Sequence, residues 1–208
     1  MSKKLFIIVC GIALMAFGTS LCNYTGFGID PFNALCIGSS IQFNISLGMF
    51  TLLAQIIIAV FVFCMNRRYI GIGSLIPMIV FGYLLEFLTI IVKTILPDTI
   101  PSILSIFLFG FGMMVIAFGM SLYMSSELGM VPYDGIAFVI SEKTDKNPFL
   151  LRVILDIIVA IIAFIMGGPI QIGTIFIAFG IGPILNFMNR LTRRIKTDEN
   201  SCYNRKSS

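Results

Sequence analysis

Six apolar runs, at about residues 5–25, 47–66, 72–96, 102–125, 149–167 and 170–190, constrain this chain more than any other feature. Each comes near the roughly 20 residues that an α-helix needs to cross a bilayer. In lipid every backbone polar group must be satisfied within its own segment, so such runs become helices. The rest of the composition agrees. Of 208 residues 58% are hydrophobic and 12% charged, against about a quarter charged in a soluble domain, and the mean hydropathy is +1.01. The chain reads as an all-α integral membrane protein.

The charges are segregated into Lys3-Lys4, Arg67-Arg68, the stretch 142–152 and the region from Arg190 onward. A net charge of +4 carried this way marks topology rather than a phosphate-binding face, so nucleic acid is not an expected partner. The five cysteines, Cys10, Cys22, Cys36, Cys64 and Cys202, show no CxxC spacing, and histidine is absent. Neither a disulfide framework nor a metal site is expected, and no cofactor motif is present. Residues 5–22 follow two lysines but run longer than a signal-peptide core and lack a small-x-small cleavage site, so they are expected to stay as the first transmembrane helix.

The chain also repeats itself. Residues 11–40 align with 112–141 at nine identical positions, including Gly11/Gly112, Ala16/Ala117, Gly18/Gly119, Gly28/Gly129 and Pro31/Pro132. Chance between two apolar segments gives roughly two or three. The match continues through Ala59, Phe63 and Met65 with Ala160, Phe164 and Met166. After a one-residue slip it joins Ile72-Gly73-Ser74 to Ile172-Gly173-Thr174, and Gly82, Leu85 and Phe87 to Gly182, Leu185 and Phe187. Residues 1–100 form one repeat, 101–195 a second, and 196–208 a polar tail expected in the cytoplasm.

Each repeat holds three long apolar runs and one shorter piece, 29–43 or 131–141. The short pieces are read as re-entrant or broken helices, giving six transmembrane helices in a 3+3 arrangement whose second half is inverted. With both termini in the cytoplasm, 13 of the 14 lysines and arginines then face inward. Eight spanning helices, 4+4, is the alternative, and it leaves 12 of 14 inside.

Two matched breaks, Gly28-Ile29-Asp30-Pro31-Phe32-Asn33 and Gly129-Met130-Val131-Pro132-Tyr133-Asp134, open the short segments. Proline suits the first position of a helix and Asp30 its N-cap. If the two half-helices meet, their positive N-terminal ends favour an anionic group on a substrate; otherwise they are ordinary turns at a membrane surface. Polar residues inside the long runs are the second constellation. Glu86 lies mid-run with Asn186 as its repeat mate, and Gln55 corresponds to Asp156. Arg152 lies four residues before Asp156, which points to a local ion pair. The candidate substrate-binding set is therefore Asp30, Pro31, Asn33, Gln55, Glu86, Pro132, Asp134 and Asp156. Asn23, Tyr24 and Glu127 end their runs and are expected at the interface. Gly11, Gly18, Gly112 and Gly119 are expected to let the first and fourth long helices approach closely.

The twin G-x-x-P-[FY]-[ND] segments, the upstream G-x-x-x-x-A-F-G-x-S-L runs and the Ile-Gly-[Ser/Thr] elements resemble the YczE/YyaS/YitT group of bacterial membrane proteins, the YczE branch most. The resemblance spans residues 5 to about 190 and lacks the C-terminal soluble domain of the YitT branch. It implies a multipass protein of the bacterial cytoplasmic membrane, with transport or export as the expected activity and no established catalytic residues.

No Walker motif, G-x-S-x-G, H-E-x-x-H or other catalytic set appears, so an enzyme is not expected. The sequence points to a secondary transporter or exporter of a small molecule. A non-transporting membrane partner of a synthase or signalling complex is the alternative, and a homodimer is compatible with either.

Overall fold

The computed structural model describes residues 2–97, 100–126, 130–182, 184–185 and 187–189. Asn186, Glu127, Gly129 and the tail from Arg190 lie outside the described residues. The described chain is helical. Among the described residues there are six long helices, α1 (Ser2–Tyr24), α3 (Leu47–Met65), α4 (Ile72–Ile95), α5 (Ser102–Ser125), α7 (Pro148–Ile165) and α8 (Ile172–Asn189), and two short ones, α2 (Pro31–Phe43) after α1 and α6 (Pro132–Thr144) after α5. Five of the long helices, all but α7, are long and apolar enough to cross a membrane, and α7 has 18 residues. The short helices have 13 residues each, or about 20 Å at 1.5 Å per residue.

Burial runs opposite to that of a soluble helix. α3 buries Thr51 (0% exposed) and Gln55 (3%), while Ile57 (71%) and Val60 (58%) face outward. α7 buries Asp156 and exposes Ile157, Ile158, Ile161 and Phe164. Water would punish both choices, whereas lipid tails reward them, because a polar group facing hydrocarbon has nothing to bond. This pattern, with the apolar spans, defines a multi-pass membrane protein.

α1 and α5 pack antiparallel through their glycines. A Cβ on Gly11 would lie 2.8 Å from the carbonyl oxygen of Gly119, and one on Gly18 would lie 2.7 Å from that of Gly112. The reverse approaches, 2.6 Å from Gly119 to the Gly11 oxygen and 3.0 Å from Gly112 to the Gly18 oxygen, are equally close. No larger residue fits such backbone-to-backbone contact. Beside this seam Ile8, Ile12 and Ala16 of α1 pack with Phe81 and Leu85 of α4 and Tyr123 of α5.

Local chemistry fixes the helix ends. Asp30 caps α2, its Oδ1 accepting the Asn33 N–H at 3.0 Å, and Pro31 takes the first helical position. α2 and α6 end on Asn44 (φ 54°) and Asp145 (φ 52°), equivalent positions of the two repeats in a left-handed conformation that Asn and Asp tolerate. α4 and α8 open alike: Ser74 Oγ accepts the Gly71 N–H at 3.2 Å, and Thr174 Oγ1 accepts the Gln171 N–H at 3.3 Å. Pro77 inside α4 has no N–H for the Gly73 carbonyl four residues earlier. The Tyr123 hydroxyl of α5 donates to that oxygen at 3.4 Å.

Candidate binding cavity

The first turns of α2 and α6 meet. Phe32 and Tyr133, each the second residue of its helix, stack with ring centroids 4.7 Å apart. Around them opens a cavity of about 350 Å³, lined from all eight helices. Gln55 and Asp156 reach it from points half-way along α3 and α7, which sets the cavity near mid-depth of those helices. Most of the wall is apolar, with Ile12, Met15, Phe81, Met120, Met124 and Ile181 among its residues.

The polar groups form two sets at equivalent repeat positions. From the first half come Asp30, Phe32, Asn33, Thr51 and Gln55; their mates in the second half are Val131, Tyr133, Asp134, Arg152 and Asp156. All of these but Thr51 line the cavity. In the second half Arg152 Nη1 lies 2.9 Å from Asp134 Oδ1 and its Nε lies 3.9 Å from Asp156 Oδ2. The Tyr133 hydroxyl donates to Asp156 Oδ1 at 2.6 Å. In the first half Asp30 Oδ2 accepts from Asn33 Nδ2 at 2.7 Å. Among the described residues no cation lies within 4 Å of Asp30. Asn33 Oδ1 and Gln55 Oε1 are buried without a hydrogen-bond partner. Phenylalanine at position 32 brings no hydroxyl to Gln55, where Tyr133 brings one to Asp156.

Of the residues expected from sequence, Asp30, Pro31, Asn33, Gln55, Asp134 and Asp156 line this one cavity. Pro132, the first residue of α6, is fully buried and does not line it. Glu86 lies elsewhere: its Oε2 accepts the Gly48 N–H at 3.0 Å, placing a carboxylate at the first turn of α3, where the helix dipole favours it. The expected ion pair between Arg152 and Asp156 is present, but the shorter contact of Arg152 is to Asp134. Tyr133 and Phe32 belong to the paired motif, yet nothing in the sequence says that they touch each other. No group of acidic or cysteine residues that could hold a metal is found among the described residues.

The fold and this cavity define the class: a multi-pass helical membrane protein with a central, partly polar chamber. The chain belongs to the DUF6198 family of unknown function, whose pattern matches residues 2–190. It is 32% identical to the uncharacterised membrane protein YczE of Bacillus subtilis, over 85% of this chain and 81% of that one. It is 28% identical to an uncharacterised protein of Haemophilus influenzae, over 93% and 86% of the two chains. YyaS of B. subtilis is 25% identical over 88% and 91%. No solved structure matches.

Proposed function

We propose that this protein is a secondary transporter or exporter of a small molecule in the bacterial cytoplasmic membrane. It is built as a 3+3 inverted repeat with α2 and α6 as re-entrant helices and with both termini in the cytoplasm. One observation carries the reading: the N-terminal ends of two sequence-equivalent short helices meet, through Phe32 and Tyr133, over a mid-depth chamber. Reciprocal contacts of Gly11 with Gly119 and Gly18 with Gly112 support the inversion, because equivalent helices that cross antiparallel are related by a twofold axis across them. Broken helices meeting at a repeat interface are how many secondary transporters form a site that can open to either face.

The test is two-sided access. A single cysteine placed at Thr19, which lines the cavity, is introduced into a protein freed of its five native cysteines and reconstituted in vesicles. Alternating access expects a membrane-impermeant maleimide to label it from each face, with the ratio changed by a substrate found in a flux screen. Labelling from one face alone under every condition, with no flux of any solute, overturns the reading.

A further inference from the structure

The chamber's charge and hydrogen-bonding balance indicates what it takes. We infer that its ligand is an organic cation with a largely apolar body, and that Asp30 is the carboxylate that receives its positive charge; this rests on the transport reading above.

Three carboxylates, Asp30, Asp134 and Asp156, line the cavity against one guanidinium, Arg152. Arg152 is committed to the two acids of its own half, at 2.9 and 3.9 Å. Asp30 has only the N–H and amide of Asn33. Those two bonds leave lone pairs open on both of its oxygens. A carboxylate deep in a membrane protein does not stay bare, and it takes either a proton or a cationic partner.

The uncharged polar side chains are short of the same thing. Asn33 is 7% exposed and Gln55 3%. Both line the cavity, and the acceptor oxygen of each has no donor. The Asn33 amide cannot be turned round to cure this, because its nitrogen already serves Asp30. The open positions on Asp30 and on the anchored Asn33 Oδ1 are all acceptors, so a ligand that fills them brings donors or positive charge. Positive ends of α2 and α6 would by themselves favour an anion. Asp30 already takes the Asn33 N–H of α2, and Asp134 sits in the first turn of α6, so that potential is spent.

The walls suit the remainder of such a solute. Phe32, Phe81, Tyr123, Tyr133 and Phe138 offer aromatic rings, whose faces attract cations. Four methionines, Met15, Met120, Met124 and Met130, give an adaptable apolar lining. The 350 Å³ volume falls in the range of pockets for drug-sized organic molecules.

Tetraphenylphosphonium and tetraphenylborate share a shape and differ in sign of charge, and benzyltrimethylammonium is a smaller cation. Binding of each is measured to the purified full chain in zwitterionic nanodiscs. Saturable binding of tetraphenylphosphonium or benzyltrimethylammonium is expected, with tetraphenylborate at least tenfold weaker. Asp30→Asn keeps an N-cap and removes the charge. It is expected to weaken cation binding at least tenfold and to leave residual borate binding unchanged, with Asp30→Glu retaining the preference for cations. Borate binding as tight as phosphonium, no saturable binding of either cation, or indifference to Asp30→Asn in protein that melts like wild type overturns the inference. The bound cation is then loaded into proteoliposomes. Binding without flux sinks the transport reading and leaves the cation site standing; flux confined to anionic or neutral solutes does the reverse.

Discussion

Phe32 and Tyr133 stack at 4.7 Å with an interplanar angle of 28°, and they are the same position of the two sequence repeats. Each ring therefore rests on its own counterpart. The polar residues half-way along α3 and α7, Gln55 and Asp156, are also counterparts, but only Asp156 is bonded by a ring hydroxyl, that of Tyr133. The sequence repeat is kept in the stacked rings and not in the bonding of the polar residues that go with them.

A stability series follows from that asymmetry. Tyr133→Phe keeps the ring and strips Asp156 of a donor, at a cost of about 1–3 kcal/mol. Phe32→Tyr adds the hydroxyl that the second repeat carries, and with Gln55 Oε1 unpartnered at the position matching Asp156 it is expected to be neutral or to stabilise by about 1 kcal/mol. Phe32→Ala loses the stack and leaves a void, and should be the most damaging of the three. Thermal unfolding in detergent orders them. If Phe32→Tyr proves as harmful as Phe32→Ala, the equivalence of the two halves at this point is wrong.

The α1–α5 seam makes a sharper prediction. A methyl at Gly119 would sit 2.6 Å from the Gly11 carbonyl oxygen, a backbone atom that cannot step aside without moving a helix. Gly119→Ala should therefore lower the melting temperature and the yield of monodisperse protein, as should Gly18→Ala. Gly110, on the same helix α5, has nothing within 4 Å of its missing Cβ. Gly110→Ala is expected to be neutral or mildly stabilising, by about 0.5–1 kcal/mol from helix propensity. Equal effects at Gly110 and Gly119 would mean that the seam is not a backbone contact.

Much of this was written in run lengths and periodic matches. Six long runs and two short ones became six long and two short helices because span length is set by the bilayer and capping by local residues such as Asp30 and Pro31. What was not written was direction around a helix axis. Glu86, a mid-run acid, looked like a cavity residue, but its face of α4 turns toward the start of α3 and Gly48, 38 residues away. Arg152 looked like the partner of Asp156 by (i, i+4) spacing, while the nearer carboxylate, Asp134, comes from another helix. The left-handed C-caps Asn44 and Asp145 share the repeat offset, a signal that was present but hidden by their non-identity.

Outside the spans, Glu142 ties α6 to the α3–α4 turn. It accepts from the Tyr69 hydroxyl at 2.5 Å and from Asn66 Nδ2 at 2.8 Å. These bonds, the hydroxyl's first, hold its carboxyl below the ordinary value of 4.5, and the carboxylate in turn pushes the Tyr69 phenol up. With a folded value below the unfolded one, the unfolded chain takes up the proton first as pH falls. The tie thus contributes fully above about pH 4.5 and is lost as pH drops through the lower, folded value. Wild type should melt above Glu142→Gln near neutral pH, and the gap should narrow as the pH falls below about 4.5. A gap of constant size across that interval would show that the ionised carboxylate is not what holds the turn.

Arg152 is the one cation among the residues that line the cavity, 2.9 Å from Asp134 and 3.9 Å from Asp156. Removing one partner of a buried pair typically costs about 3–5 kcal/mol; Arg152 is 34% exposed, so a smaller loss, about 1–2 kcal/mol, is expected for Arg152→Gln. The first repeat shows how the loss should be repaired. At the position of Asp134 it carries Asn33, and at that of Arg152 it carries the uncharged Thr51, so neutrality is the arrangement already used there. Asp134→Asn together with Arg152→Gln should recover much of the stability that Arg152→Gln alone loses. A double-mutant cycle on melting free energies measures the coupling, expected at about 1 kcal/mol or more for groups in direct contact. Strictly additive losses would mean that the guanidinium holds its place by packing and not by answering the charge of Asp134.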